Sequence, residues 1–168
     1  ARYLLGLADQ VVNAMLIDAQ GNVWFGTSNG LSKLDGISDQ FYNPIRSLNN
    51  IASNYIEKVC IDASGDKWFA TLNGVSRYNS STNIWSTFNT SSGLPNNEAT
   101  TIAADASGNI WIGTRGNGVA VRSSAGAWTY YTNASTAGLM PSDYVQDIEI
   151  TKSGIVWVGT SSGIASYN

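Results

Sequence analysis

Short runs in which apolar and polar residues alternate recur along the whole chain, each bounded by turns rich in Gly, Asn, Ser and Asp. A period of two over four to six residues predicts β-strands, and no stretch has the spacing of an amphipathic helix. One pattern of strand, turn and strand repeats. DASGNIWIGT (105–114) returns as DAQGNVWFGT (18–27), DASGDKWFAT (62–71) and TKSGIVWVGT (151–160). The tryptophans Trp24, Trp68, Trp111 and Trp157 stand 44, 43 and 46 residues apart, and other positions keep step with them. Twelve residues before each Trp, Val12, Ile56, Ala99 and Val145 lead into a first strand (AMLID, EKVCID, TTIAAD, QDIEIT). After Gly30, Gly74, Gly118 and Gly163 comes a third (LSKL, VSRY, VAVR, IASY). Seventeen residues after the Trp, Phe41, Trp85 and Trp128 open a fourth (FYNPI, WSTF, WTYYT).

A repeat of 40 to 50 residues with four strand signals predicts an all-β chain: a β-propeller of four tandem blades, each of three to four antiparallel strands. The expected blades are 1–42, 43–86, 87–129 and 130–168 of a single domain. The turn residues have structural roles. Gly21, Gly65, Gly108 and Gly154 supply a positive φ, and Asp18, Asp62 and Asp105 fold back onto turn N–H groups, with Thr151 as the weaker substitute. Each turn carries too few oxygens for a Ca²⁺ loop, so no metal is expected. Trp24, Trp68, Trp111 and Trp157 are expected to be spacers between sheets. The Gly-Thr after each Trp strand, Ala70-Thr71 in the second copy, suits close approach of a neighbouring sheet.

The fourth copy reaches Asn168 without an outer strand, while Gly6-Leu7 matches Gly93-Leu94. Residues 1–5 then correspond to the tail of an outer strand. Two closures follow. In one, this piece pairs with residues 164–168 and closes a four-bladed ring. In the other, it pairs with a second copy, and the chain is half of an eight-bladed ring with two-fold symmetry.

Composition narrows the function. The net charge is −3 and only 12% of the 168 residues are charged. The nine Lys and Arg are scattered, which excludes the basic patch of a nucleic-acid binder. No apolar run reaches membrane-spanning length. Cys60, the sole cysteine, reads as a small buried hydrophobe, and with no histidine in the chain the commonest general base and metal ligand is missing. No cofactor is expected.

The run Val-x-x-Ile/Ala-x-x-Asp-x-x-Gly-Asn-x-Trp-x-Gly-Thr-x-x-Gly, preceded by Gly-Leu-Pro, resembles the two-component-regulator propeller repeat. The best copy is GLPNNEATTIAADASGNIWIGT (93–114). The resemblance covers the chain as four tandem copies, departing at Ala70 and at the fourth turn, which lacks its Asp. It implies a propeller of the kind found in the extracellular sensor regions of bacterial hybrid two-component systems, where such domains bind glycan fragments or pass on binding by neighbouring segments. A periplasmic or extracellular location follows as an expectation. A weaker resemblance to streptogramin B lyase rests on the Gly-x-x-Trp-Phe turns. That family's catalysis is associated with histidine, so the activity is not carried over.

In a propeller, the loops entering the first strand and those joining strands two and three share one face. Here they are 8–11, 53–56, 96–99 and 142–145, with 28–29, 72–73, 115–117 and 161–162. The candidate ligand-binding residues are Asn54, Tyr55, Asn97, Glu98, Arg115, Asn117, Asp143 and Tyr144. Amides, a guanidinium and phenol rings suit a polyhydroxylated ligand, although Asn and Asp also serve simply as turn formers. Glu98 and Asp143 could form a glycosidase pair, but nothing else marks a catalytic centre. The expectation is a non-catalytic binding or sensing module, glycan-related. The alternatives are an adhesive or structural scaffold that assembles with a second copy or further repeats, and, more remotely, a lyase or glycosidase.

Overall fold

A computed structural model describes residues 7–36, 39–42 and 51–168. These residues form four antiparallel sheets in chain order. The first holds β1 (Val12–Ile17), β2 (Val23–Thr27), β3 (Gly30–Leu34) and β4 (Asp39–Tyr42). The second holds β5 (Ile56–Ile61), β6 (Lys67–Thr71), β7 (Gly74–Asn79) and β8 (Ile84–Phe88). The third holds β9 (Ala99–Ala104), β10 (Ile110–Thr114), β11 (Val119–Arg122) and β12 (Trp128–Tyr131). The fourth holds β13 (Val145–Ile150), β14 (Val156–Thr160) and β15 (Gly163–Tyr167). One 3-10 turn at Thr90–Ser92 is the only helical element among the described residues. Each first strand begins one or two residues earlier than its periodicity suggested. Residues 1–5 and most of FYNPI lie outside the described residues.

Each sheet packs face to face on the next, and the alternation decides which flank each residue takes. Ala14, Leu16 and Trp24 pack with Ile56, Val59 and Phe69 of the second sheet. Trp68 packs with Ile102 and Ile110 of the third, and Trp111 with Ile148, Val156 and Val158 of the fourth. Every one of these tryptophans therefore points onward to the following sheet.

Close approach depends on glycine. A Cβ on Gly26 would lie 2.6 Å from Ile56 Cγ2, and one on Gly113 would lie 2.5 Å from Val145 Cγ1. The second interface makes the opposite choice, with Ala70 and Ala99 in one buried cluster. A slightly larger residue on one side is matched by a smaller one on the other. This accounts for the departure at Ala70.

The Asp turns go further than their sequence suggested. Asp18 Oδ1 accepts from the N–H groups of Gln20 and Asn22, and Asp62 and Asp105 repeat the pattern. The second oxygen of each then accepts from the indole N–H six residues on, at 3.0, 2.8 and 3.0 Å for Trp24, Trp68 and Trp111. The carboxylate thus ties the turn to the inter-sheet ring. Thr151 Oγ1 accepts the Ile155 N–H and shares a hydrogen bond with the Ser153 hydroxyl.

Trp157 departs from its expected role as a spacer. It is 43% exposed, against 1%, 2% and 5% for Trp24, Trp68 and Trp111. Its flank looks away from the third sheet, and none of the described residues covers it. Ile164 on the same flank is 69% exposed, where Leu31, Val75 and Val119 are at most 1% exposed. At the other end, Met15 and Ile17 are 63% and 62% exposed. The first and fourth sheets therefore do not cover one another.

Burial pushes the Asp18 carboxyl up. Hydrogen bonds from the Asn22 side chain, the Trp24 indole and the Asn22 N–H, with the Lys67 charge, outweigh it and hold the group down at about 2. The Lys67 ammonium lies 3.3 Å away, and both side chains are almost fully buried. Burial likewise raises and hydrogen bonds from Trp111 and Asn109 more than lower the Asp105 carboxyl. A folded-state value below the unfolded one stabilises the fold above the usual carboxylate range and is lost as pH falls toward 2. Asp18 alone is expected to contribute about 2 kcal/mol at neutral pH. Urea denaturation at pH 7 and near pH 2.5 checks this, because Asp18→Asn should shrink the difference between the two.

Cys60 fits the reading as a small hydrophobe. It packs against the second interface, and burial, then the Asp62 carboxylate, push its thiol up to about 12.

Candidate functional site

The loops entering β5, β9 and β13 begin with short side-chain turns. The Tyr55, Glu98 and Tyr144 N–H groups donate to Ser53 Oγ, Asn96 Oδ1 and Ser142 Oγ. These three residues therefore occupy one repeat position at the head of an inner strand. The β10–β11 turn is one residue longer than its counterparts, with Gly116 and Gly118 at φ +98° and +72°. Its first residue, Arg115, forms an isolated bridge with Tyr144, which ties the third sheet's turn to the fourth sheet's entrance.

Three of the expected residues meet here. Arg115 Nε lies 3.0 Å from Glu98 Oε2, and the guanidinium carbon sits 5.6 Å from the centre of the Tyr144 ring. Arg115 N–H also donates to the Glu98 carbonyl. Glu57 adds a second carboxylate, 3.9 Å from Arg115 Nη2. Burial raises the Glu57 carboxyl more than the Arg115 charge lowers it. Glu57, Thr100, Arg115, Tyr144, Val145 and Gln146 line an open depression of about 240 Å³.

Glu57 and Gln146 were not expected from the sequence. Each inner strand carries a register shift after its first residue, at Asn13, Glu57, Thr100 and Gln146. A bulge leaves its extra residue out of the ladder and re-aims its side chain. Asn13 Nδ2 donates to the Ile56 carbonyl and Thr100 Oγ1 to the Val145 carbonyl, each reaching the next sheet. The available signal was a polar residue directly after each apolar residue at the strand start.

The remaining expected residues are placed elsewhere. The Asn54, Asn97 and Asp143 carbonyls accept the N–H groups of Gly30, Gly74 and Gly118 at 2.7, 2.6 and 2.8 Å, a backbone link between successive sheets. Asn97 Oδ1 also accepts the Thr90 N–H, and Asp143 Oδ1 the Asn133 N–H. These side chains close the outer loops. Asn54 Oδ1 is buried without a hydrogen-bond partner among the described residues. Asn117 accepts from Asn96 Nδ2, which also donates to the Arg115 carbonyl and so props the long turn. Tyr55 stands at the head of its own inner strand.

Four radially packed sheets with loops gathered on one face define a propeller-type scaffold. The sequence profile described as two component regulator propeller matches residues 6–29 and 93–116, so the chain carries repeats of that family. No curated protein matches the chain. Among solved structures, it superposes on the extracellular domain of a putative hybrid two component system from B. thetaiotaomicron. The TM-score is 0.81 at 24% identity over 99% of this chain and 26% of that one. The extracellular domain of a putative one component system from the same organism gives 0.78 at 22% identity, over 97% of this chain and 24% of that one. Virginiamycin B lyase from Staphylococcus aureus gives 0.68 at 20%, over 98% and 58%. The chain thus spans about a quarter of the two extracellular domains, and propellers with and without an enzymatic name share its fold. Among the described residues no helix is long and apolar enough to cross a membrane.

Proposed function

We propose that the chain is a ligand-sensing propeller module that works outside the cytoplasm and binds a polyhydroxylated ligand, glycan in class, at the Arg115–Tyr144 depression. One observation carries the reading. A guanidinium is held between the Glu98 carboxylate and the Tyr144 ring, beside Glu57, Thr100 and Gln146. A sugar presents hydroxyls that both donate and accept, and a C–H face. Arg donors, carboxylate and amide acceptors and an exposed phenol ring match those features. The likeness to extracellular domains of a putative hybrid two component system and a putative one component system supports the sensing role and the location.

Binding without turnover is the simplest use of this site. The chain has no histidine, and the Asp143 carboxylate that could have partnered Glu98 accepts from the Asn133 N–H instead. A glycan array followed by calorimetry tests the reading. A sugar hit should bind at least about tenfold more weakly to Arg115→Ala, as expected for a charged contact removed from a site centre. Failure of every sugar to bind contradicts it, and so does turnover of a bound candidate.

The exposed flanks favour a second reading, a scaffold that assembles. Met15 and Ile17 at one end, and Trp157 and Ile164 at the other, suit association with a second copy or with further repeats. A dimer in sedimentation equilibrium, with no sugar binding, would favour it.

A further inference from the structure

One register position of the repeat changes character between the second and third sheets. Opposite the residue before each Trp, strands β3, β7, β11 and β15 carry Leu34, Tyr78, Arg122 and Tyr167. Tyr78 and Tyr167 reach back to the tryptophan of the preceding sheet, each 5.3 Å between ring centres from Trp24 and Trp111. In the third sheet a guanidinium stands in place of the ring. Arg122 lies over Phe88 of the second sheet, its guanidinium carbon 4.7 Å from the ring centre. Trp68 is covered instead by Arg77 of its own sheet, at 5.4 Å. A cleft of about 110 Å³ remains between the two sheets, and its walls include Asp62, Ser64, Trp68, Arg77, Arg122 and Ser124.

The charges in this cleft do not balance. Arg77 is neutralised, because its Nε and Nη2 donate to Asp66 Oδ2 and the Asp66 side chain is almost fully buried. Arg122 is half-buried, and among the described residues it has the Phe88 ring but no hydrogen-bond or ion-pair partner. Burial, then the charge of Arg77, hold its guanidinium below its ordinary value. The Asp62 carboxylate is already committed, since its oxygens accept from the Ser64 and Asp66 N–H groups and the Trp68 indole. Ser64 and Ser124 are exposed. A partly desolvated cation beside a second cation is costly unless a counter-charge joins them.

We propose that this cleft is a binding site for a compact oxyanion of the sulfate or phosphate type, held by the unpaired guanidinium of Arg122 together with Arg77. The planar fork of a guanidinium matches two oxygens of such an anion. Arg77 is fixed by Asp66 through Nε and Nη2, which leaves its Nη1 donors for the ligand. The Ser64 and Ser124 hydroxyls complete the donor set from the cleft walls. The bound anion bridges the second and third sheets, so it stabilises the fold in proportion to its occupancy. The cleft lies at the Asp62 turn, at the opposite ends of the strands from the β10–β11 turn that carries Arg115. It is independent of the Arg115 depression and of any sugar bound there.

Inorganic phosphate and sulfate are titrated into the nitrogen-labelled full chain, with chloride holding the ionic strength constant, and the arginine Nε–H signals are followed. Saturable shifts at Arg122 and Arg77 are expected. Read at Arg77, binding should weaken at least about tenfold in Arg122→Gln, as for the loss of a charge-assisted hydrogen bond. Arg122→Tyr restores the side chain that Tyr78 and Tyr167 provide at this position, so it should fold, fill the cleft and abolish binding. Shifts that chloride reproduces, or that never saturate, overturn the proposal. So does unchanged binding by a folded Arg122→Gln or Arg122→Tyr chain. Phenyl phosphate separates two sources of the same group. Affinity equal to that of inorganic phosphate supports a site for a phosphate ester carried on a larger ligand, and exclusion of phenyl phosphate supports a site for the free ion.

Discussion

Trp24→Ala is expected to destabilise the fold by about 3–5 kcal/mol, and Trp157→Ala by about 1 kcal/mol or less, although both replace the same repeat position. Trp24 is 1% exposed. It stacks on Tyr42 at 5.9 Å, contacts Phe69 and Tyr78 at 6.0 and 5.3 Å, and lies between the Lys33 and Lys67 ammonium groups at 5.6 and 5.7 Å. Its indole N–H occupies an oxygen of Asp18 that the truncation would leave buried. Alanine therefore opens a cavity and removes a hydrogen bond from a buried carboxylate. Trp157 is 43% exposed, and its turn has Thr151 where an Asp would hold the ring. Urea denaturation of the two variants checks the contrast. Equal losses would show that the fourth tryptophan is covered in solution.

The second large effect lies at the glycine contact. Gly26→Ala should cost about 1–3 kcal/mol, because its new methyl meets Ile56 Cγ2 at 2.6 Å inside a packed interface. Ile56→Ala alone should cost about 2–5 kcal/mol through the cavity it leaves. Together they recreate the pairing that Ala70 and Ala99 already make between the second and third sheets. The double variant should therefore be more stable than the sum of the single effects by about 1 kcal/mol or more. Gly159→Ala is the control. Its nearest neighbour would be the Asp147 carbonyl oxygen at 3.7 Å, so the change should stay within about 0.5 kcal/mol. Additive costs at Gly26 and Ile56 would refute the steric account of why Gly recurs there.

These cases show what periodicity carries and where it stops. Alternation around Trp24, Trp68 and Trp111 gave the strands, their order and the rings' place between sheets, while the sheet each ring faces came only with the packing. Compensation between Ala70 and Ala99 was also present in the sequence, as two departures twenty-nine residues apart that make sense only once their sheets are in contact. Exposure of Trp157 was not legible, since burial depends on a neighbour that its own repeat does not encode.

The candidate site divided in the same way. Arg115, Glu98 and Tyr144 could be placed on one face from the loop lengths alone. Their convergence depends on the extra residue at 115–117 and on the Arg115–Tyr144 bridge between sheets. Asn54, Asn97 and Asp143 were legible as loop residues, but their carbonyls are used in backbone links. Glu57 and Gln146 were hidden because a bulge, not the strand period, sets their direction.

The most direct measurement is chemical-shift mapping of the labelled chain during titration with the strongest sugar from a glycan array. The account predicts saturable shifts at Arg115, Tyr144, Glu57, Thr100 and Gln146, all of them lost in Arg115→Ala. Saturable shifts confined to another surface, with the Arg115 depression unmoved, would contradict it.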